Sequence, residues 1–367
     1  MENKGALSAE QIQQCIDKGY ILDTDIANIN PASFDISAAG ERYRVDSIFL
    51  PKTDQKVRDI IQSLNPIDQK VDQVLERDVI YVFKIKEKVN LAENIYGYCN
   101  PKSSSGRHDL HVRIVADGVA RYDTVPHGYA GELWAIVVAR SYPVLMPIDF
   151  RISQIRLFDG DTRFNEMMLL DQMHTETLVY HADGRPYEYS SFRMKDGDGS
   201  ILLTLDIDGG MDGIVGYEAR GTHKVLNLGA ANASLDSKDF FTPIYKNGDA
   251  IHLKKGSFYI LSTKEYLRVP PYLASEMVDM DSRTGEFRSH YAGFFDPGWG
   301  CDEDGTGHGR PMTLEVRPFE DVMISHQQPI GKVKFEKMSQ TPLRHYDQAN
   351  SNYLCQSGPK LAKQFKM

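Results

Sequence analysis

Tyr81-Val-Phe-Lys-Ile-Lys-Glu-Lys-Val-Asn-Leu-Ala-Glu-Asn-Ile95 is the stretch that decides the fold, because its pattern returns 178 residues later in Tyr259-Ile-Leu-Ser-Thr-Lys-Glu-Tyr-Leu-Arg-Val-Pro-Pro-Tyr-Leu273. Both segments begin with the β-branched and aromatic residues typical of a strand, continue through Lys-Glu and end in a turn. The same offset relates Arg151-Ile-Ser-Gln-Ile-Arg-Leu157 to Pro329-Ile-Gly-Lys-Val-Lys-Phe335. Strands that recur at one spacing indicate a duplicated domain.

Most of the chain has the composition of β-strands. Val79–Lys86, Gly131–Arg140 and Ser257–Leu261 are rich in β-branched and aromatic residues and are bounded by Gly, Pro or Asn. Many short strands separated by turns predict a barrel or a sandwich and not a doubly wound sheet. The 367 residues exceed the roughly 250–300 at which a single core stops growing. We therefore predict two domains, residues 1–175 and 176–367.

Helical signals are few. Ser8 and Gln11 have the spacing of a capping box and predict a short N-terminal helix that ends near Gly19. Two more helices are predicted, at Lys56–Leu64 and Asp68–Leu75.

Composition and charge limit the classes of function. No apolar run approaches the ~20 residues needed to span a bilayer, and the N-terminus lacks a hydrophobic signal region, so we expect a cytoplasmic protein without a membrane partner. The formal net charge of -9 disfavours nucleic acid as a partner, because duplex binding usually needs a basic face. Four cysteines without a CxxC pair argue against both a disulfide framework and a zinc ribbon.

Asn100-Pro-Lys-Ser-Ser-Ser-Gly-Arg107 is the sharpest local signal. Consecutive hydroxyls, a glycine and an arginine after a strand can direct backbone N–H groups, Ser Oγ atoms and a guanidinium onto one anion, as phosphate binding requires. A solvated serine-rich turn has the same composition, so spacing alone leaves both interpretations open.

A candidate carboxylate lies in Met312-Thr-Leu-Glu-Val316, which follows Gly293-Phe-Phe-Asp-Pro-Gly-Trp299. In a strand, Leu314 and Val316 face one side and Glu315 the other, so a single carboxylate can stand opposite the core and act as a general base. A glutamate on the surface of a strand is the plain alternative.

Taken in order, these motifs resemble those of the dCTP deaminase and dUTPase superfamily. The resemblance implies a mainly β chain of two tandem dUTPase-like β-barrels, each a distorted jelly roll, with the short N-terminal helix added to the first. Several short motifs in the right order are more specific than any one of them. The segments that carry the resemblance are Asn30–Ile36, Pro101–Arg107 with its Ser-Ser-x-x-Arg pattern, Phe295–Trp299, Thr313–Glu315, Pro329–Gly331, Tyr346 and Tyr353–Gly358.

The resemblance also implies a reaction, the hydrolytic deamination of dCTP to dUTP and ammonia in pyrimidine deoxynucleotide synthesis. Glu315 matches the general base that deprotonates a water for attack at C4 of cytosine and then returns the proton so that ammonia leaves. Arg107 and Ser103 are the other implied catalytic residues. The resemblance places Mg²⁺ on the triphosphate, and no zinc is expected because no set of cysteines and histidines has ligand spacing.

The remaining implied site residues bind substrate, and the family further implies a homo-oligomer, trimer or dimer, with dTTP as a candidate inhibitor. The substrate-binding positions are Lys102, Ser104, Ser105, Gln154, Arg283, Ala292, Asp296, Thr313, Leu314, Tyr346, Asn352 and Gln356.

Neither half carries a whole site. The first half has Ser103, Ser104 and Arg107, but Ile136 occupies the position that matches Glu315, and an isoleucine cannot move a proton. The second half keeps the carboxylate and lacks the serines.

In the second half, Val278-Asp-Met-Asp-Ser-Arg283 stands where the serine motif should be and retains only its arginine. Asn352 stands where the family tail commonly has a lysine. The complementary losses predict a composite site in which the serine motif of the first half meets Asp296 and Glu315 of the second. The alternative is a site formed within second halves that uses Arg283.

Two other functions stay open. A dUTP or dCTP pyrophosphohydrolase, alone or combined with deamination, is favoured if water is aimed at the α-phosphate, and a non-catalytic nucleotide-binding regulator is the third possibility. His174-Thr-Glu176 matches the H-x-E of zinc deaminases, but their Pro-Cys-x-x-Cys partner is missing. Asp206–Asp212 is acidic but lacks the spacing of an EF-hand.

Overall fold

The computed structural model describes residues 3–192, 194–208, 211–289, 293–346 and 358–366. Strands account for 41% of the residues and helices for 13%, which confirms the predicted mainly β fold. The helices are α1 (Ala9–Asp17), α2 (Val57–Ser63), α3 (Ser103–Arg107) and α4 (Glu166–Thr175).

The strands of the first half are β1 (Ile21–Leu22), β2 (Ile29–Asn30), β3 (Ser33–Val45), β4 (Ile67–Asp68), β5 (Ile80–Asn90), β6 (Tyr96–Pro101), β7 (Leu110–Ala116), β8 (Thr124–Val125), β9 (Ala130–Ala139), β10 (Val144–Leu145) and β11 (Phe150–Phe158). Those of the second half are β12 (Val179–Tyr180), β13 (Ser200–Thr204), β14 (Ile214–Ala219), β15 (Leu226–Asn227), β16 (Leu235–Asp236), β17 (Phe241–Tyr245), β18 (Ala250–Leu253), β19 (Tyr259–Leu267), β20 (Leu273–Met277), β21 (Phe287–Ser289), β22 (Phe294–Phe295), β23 (Arg310–Pro318), β24 (Val322–Ser325), β25 (Pro329–Lys337) and β26 (Phe365–Lys366).

The first half is a nearly closed barrel. Its main sheet runs in the order β7-β9-β5-β3-β11-β6-β8, and β7 also lies against β6 and β8, which brings the two edges together. Alternate side chains of these strands point inward and form an apolar core that includes Phe34, Phe83 and Val137.

The second half has two main sheets around a core of its own, together with the small two-stranded sheets β16-β26 and β18-β24. One sheet runs β17-β14-β19-β23-β21 with β12 paired to β19, and the other runs β13-β25-β20-β22. Tyr259, Leu314 and Phe335 are fully buried between them. The predicted pair of tandem barrel-like halves is thus present.

The strand registers show that the two halves are built alike. Val82 of β5 pairs with Ile136 of β9, and Ile260 of β19 pairs with Glu315 of β23. Val82 and Ile260 are separated by the same 178 residues as the sequence repeat. Ile136 therefore occupies the place in the first half that Glu315 occupies in the second.

The N-terminal helix forms as its capping box predicts. Gln11 N donates to Ser8 Oγ at 3.4 Å, and Ser8 N donates to Gln11 Oε1 at 3.0 Å. The helix ends at Asp17, just before Gly19, whose φ of 73° suits a glycine. The helix predicted at Lys56–Leu64 is also present, as α2.

The helix predicted at Asp68–Leu75 is wrong. Ile67 and Asp68 form β4 and pair with β3, and Leu75 N donates to Val144 O at 2.7 Å. Leu75 is fully buried in the first core. Backbone pairing with neighbouring strands therefore overrides the local helical pattern. The helix α4 was not predicted, because Leu169 is the one residue buried along it and its sequence lacks a clear apolar face.

The division between residues 175 and 176 stays a prediction. Phe164 and Leu169 precede it in the chain and pack into the second core. Among the described residues, no helix has both the length and the apolar character needed to cross a membrane.

One buried arginine joins the two halves. Arg156 of β11 is fully buried, and its guanidinium donates to Glu336 Oε1 at 2.7 Å and to Asp296 Oδ1 at 3.2 Å. It also donates to the carbonyls of Ser275 and Phe295. Burial raises the pKa of both Glu336 and Asp296, whereas the charge of Arg156 acts to lower it. A cation of the first half is thus satisfied by acceptors of the second.

Apolar packing continues the contact between the two halves, and we call this interface the seam. Tyr142 donates to Phe240 O at 2.7 Å, and β10 pairs in parallel with β15. Phe240, Ile260 and Phe365 of the second half are part of the same core cluster as the first barrel. The relative position of the halves is therefore fixed by a continuous apolar core as well as by Arg156.

We predict that Arg156→Met destabilises the protein by about 3–5 kcal/mol, because it leaves two buried carboxylates without their cation. Arg44→Met is the matched control: that side chain is 44% exposed, and its pair with Glu76 contributes about 1 kcal/mol or less. Urea unfolding measures both.

The sign of the pH dependence follows from the raised carboxylate pKa values. A group with a raised pKa in the folded state takes up protons on folding, so stability falls as the pH rises through the interval between its unfolded and folded values. Arg156→Met removes the charge that lowers the pKa of Glu336 and Asp296, so both pKa values rise further. The loss of stability in this variant should therefore be larger at about pH 8 than at about pH 5. Equal unfolding midpoints for Arg156→Met and Arg44→Met would contradict the assignment.

Candidate active site

The serine motif forms the short helix α3 at the end of β6. Ser103 and Ser104 are partly exposed, so their hydroxyls can reach a ligand. Ser105 is fully buried, and its Oγ donates to Ile152 O at 3.1 Å. The third hydroxyl of the motif therefore holds α3 against β11.

Positive side chains surround α3. Lys102 precedes the helix and pairs with the buried Asp35, and Arg151 lies 3.7 Å from the same carboxylate. Burial, followed by the charges of Lys102 and Arg151, lowers the pKa of Lys363. The three cations Lys102, Arg151 and Lys363 outnumber the two carboxylates Asp35 and Asp296, which both interact with Lys102. This part of an acidic chain is therefore locally positive, which suits a phosphate chain.

Arg107 and Glu315 meet across the seam between the halves. Arg107 Nε lies 3.9 Å from Glu315 Oε1, and the two side chains are only 6% and 3% exposed. Arg107 ends α3 in the first half, whereas Glu315 belongs to β23 in the second. The fold thus places the arginine of the serine motif beside the candidate general base.

Strand alternation explains the direction of Glu315. Leu314 and Val316 are fully buried in the second core, so Glu315 points to the opposite face of β23, as the sequence predicts. Glu315 is itself buried, because the first half covers that face. The alternative of an exposed surface glutamate is therefore wrong.

The C-terminal segment closes over the arginine. Arg107 Nη1 donates to Lys360 O at 3.0 Å, and Lys360 N donates to Thr313 Oγ1 at 3.3 Å. Leu361 and Phe365 are buried in the first core. Residues 358–366 therefore connect α3 with the strand that carries Glu315.

Other predicted site residues lie along the same seam. Asp296 follows β22, is 7% exposed and pairs with Arg156. Gln154 of β11 is buried, and its Oε1 accepts from Ser33 Oγ at 3.4 Å. Tyr346 is partly buried, and its N donates to Pro297 O at 2.8 Å.

Arg283 lies apart from these contacts. Its side chain is 84% exposed, and its guanidinium donates twice to Asp281, at 2.9 Å each. Ala292, Asn352 and Gln356, which the sequence also predicts to bind substrate, lie outside the described residues.

Sequence reasoning missed three residues that support the site. Asp35 holds Lys102, Arg156 holds Asp296, and Asn100 Oδ1 accepts from Gly293 N at 2.9 Å, which ties the serine motif to the Phe295–Trp299 segment. Asp35 and Asn100 stand inside motifs that the sequence makes visible. Arg156 gives no signal, because an arginine in an alternating strand is ordinarily expected to be exposed.

Comparison with known proteins identifies the family of the chain. The family model described as 2′-deoxycytidine 5′-triphosphate deaminase (DCD) N-terminal domain matches residues 3–161, and the model of the C-terminal domain of the same family matches residues 166–365. A search of curated proteins returns no significant match.

Among solved structures, the chain is similar to 2′-deoxycytidine 5′-triphosphate deaminase from Agrobacterium tumefaciens. The two are 32% identical, with a TM-score of 0.83 over 93% of this chain and 97% of the other. The family predicted from the motifs is confirmed: the chain belongs to the 2′-deoxycytidine 5′-triphosphate deaminase family, in a form with two tandem domains.

Proposed function

We propose that the chain hydrolyses dCTP to dUTP and ammonia in pyrimidine deoxynucleotide metabolism, at a composite site between its two halves. The observation that carries the proposal is the buried approach of Arg107 to Glu315, at 3.9 Å. Family membership supplies the substrate class, and this pair supplies groups able to move a proton and to stabilise negative charge.

In the proposed reaction, Glu315 takes a proton from a water that attacks C4 of the cytosine ring. The resulting tetrahedral centre loses its amino group as ammonia after Glu315 returns the proton. Arg107 holds the carboxylate in place and opposes negative charge that develops nearby. Burial of both side chains excludes bulk water, which strengthens the electrostatic interaction between them.

The triphosphate is assigned to the positive region around α3. Ser103 and Ser104 offer hydroxyl donors, and Lys102, Arg151 and Lys363 supply charge. We propose that Mg²⁺ arrives with the phosphates and that no zinc takes part, because the cysteines and histidines of the sequence lack ligand spacing. Mg²⁺ would offset phosphate charge while the chain's own residues perform the proton transfer.

The oligomeric state and the candidate inhibitor rest on the family resemblance alone. We propose a cytoplasmic homo-oligomer, trimer or dimer, for which dTTP is a candidate inhibitor. A pyrophosphohydrolase activity and a purely regulatory role remain outcomes of the assay below.

Pure protein incubated with each dNTP and Mg²⁺ is expected to release ammonia from dCTP and from no other nucleotide. Pyrophosphate is measured in the same samples. An excess of EDTA over Mg²⁺ should weaken dCTP binding, whereas a zinc-selective chelator should leave the rate unchanged.

Each other product pattern selects a different function. Pyrophosphate release would identify a hydrolase of the triphosphate, and binding of dCTP or dUTP without either product would identify a regulator. A rate that falls with the zinc chelator would overturn the zinc-independent mechanism.

Glu315→Gln should lower kcat by at least about 10²–10⁴-fold while dCTP binding is largely kept, because the amide preserves the shape and loses the base. Glu320→Gln is the matched control, since Glu320 is exposed and pairs with Lys255 on the surface. Steady-state ammonia release and equilibrium binding separate the two effects. Near-normal turnover by Glu315→Gln would remove Glu315 from the catalytic role.

A further inference from the structure

A cavity lies at the seam between the halves, and its described lining includes none of the candidate active-site residues. It has a volume of about 330 Å³. Arg77 and Arg140 line it from the first half, and Arg288 and Arg317 line it from the second. Asp78 is the only carboxylate among the described lining residues. Four guanidinium groups around one small cavity make the local charge positive, although the formal net charge of the whole chain is -9.

The arginine charges converge on one histidine. Arg288 Nη1 lies 3.4 Å from His111 Nε2. Burial, followed by the charges of Arg113, Arg288, Arg140 and Arg317, lowers the pKa of His111 to about 3. The imidazole is therefore neutral near pH 7, so that its Nε2 can accept a hydrogen bond from Arg288.

Several of the contacts that position these arginines are to backbone carbonyls, which do not neutralise the positive charge of the guanidinium groups. Arg77 donates to the carbonyls of Arg140 and Gly221, each at 3.2 Å, and Arg317 donates to the carbonyl of Gly256. Asp78 pairs with Arg140 at 3.0 Å, and Asp109, beside the cavity, pairs with Arg317. Among the described residues, two carboxylates face four guanidinium groups, so the cavity is cationic and its arginines are oriented in advance.

We propose that this cavity binds a triphosphate chain, either free or as part of a nucleotide. Arginine forks match phosphate oxygens in pairs, and the volume falls within the usual range of small-ligand sites. Phe319 lies at the cavity and is 51% exposed, so a base attached to the phosphates would have an aromatic face to stack on.

The cavity is adjacent to the candidate active site but distinct from it. Glu315 and Arg317 are alternate residues of β23, so their Cα atoms are about 6–7 Å apart. Arg317 pairs with Asp109, which follows Arg107 by two residues. Binding in this cavity is an equilibrium property that does not require the proposed reaction to occur.

Isothermal titration of the full chain with sodium tripolyphosphate tests the proposal. We expect Arg288→Gln to weaken tripolyphosphate binding about tenfold or more, because it removes a charge-assisted donor. Arg185→Gln removes the same charge from a side chain that is 73% exposed and pairs with Asp183 on the surface. That control should bind like the unaltered protein, and the KM of Arg288→Gln for dCTP should be unchanged.

Arg107→Ala distinguishes the two sites, since it impairs the candidate active site and should leave tripolyphosphate binding in the cavity. If Arg107→Ala binds ATP more tightly than tripolyphosphate, and if adding Phe319→Ala removes that difference, the ligand of the cavity is a nucleotide. If the two affinities are equal, the cavity recognises the phosphate chain alone. The proposal is overturned if the unaltered protein does not bind tripolyphosphate, if Arg288→Gln binds like Arg185→Gln, or if Arg288→Gln raises the KM for dCTP by the same factor. Loss of binding in Arg107→Ala would likewise assign it to the active site.

Discussion

The buried guanidinium of Arg156 is the constraint on which the arrangement of the molecule depends. Arg156 is fully buried, and a buried charge is unstable unless it is paired and hydrogen-bonded. Its two carboxylate partners, Glu336 and Asp296, belong to the other half of the chain. The position of Asp296 is thereby fixed relative to β11. The candidate site depends on the same arrangement of the halves. Arg107 and Glu315 also come from different halves, and they approach to 3.9 Å only if the halves keep one relative position.

Duplication gives a physical account of why the proposed site spans two barrels. The registers of β9 and β23 place Ile136 and Glu315 at equivalent positions, so the first barrel retains the strand without its carboxylate. In the second barrel, Arg283 lies on the surface, bound to Asp281. The motif residues Arg107 and Glu315 therefore face the other half of the chain, whereas Arg283 does not.

Sequence reasoning found the elements whose signal is local or periodic. The capping box at Ser8, the strand repeat 178 residues apart and the outward direction of Glu315 each follow from spacing alone. The composite site follows from comparing what the two halves lack, and that comparison names Arg107 and Glu315 as the residues that should meet.

What sequence reasoning missed depends on long-range contacts. Nothing in the local sequence marks Arg156 as a buried residue. Leu75 is not helical, although the local sequence predicts a helix, because its backbone pairs with that of Val144. The arginine cavity is invisible for the same reason, since its four guanidinium groups come from four separate strands or turns that meet only in the folded protein. Ser105 belongs to the serine motif, yet its hydroxyl is used inside the protein.

The central claim is that one site draws its arginine from the first half and its base from the second. The most direct measurement is the dissociation constant of dCTP for Arg107→Ala and Arg283→Ala, each combined with Glu315→Gln to prevent turnover. The composite site predicts that Arg107→Ala weakens binding by about 1.5–3 kcal/mol, the range of a charge-assisted hydrogen bond, while Arg283→Ala has little effect. A loss in Arg283→Ala equal to or larger than that in Arg107→Ala would contradict the composite site and favour one built within second halves.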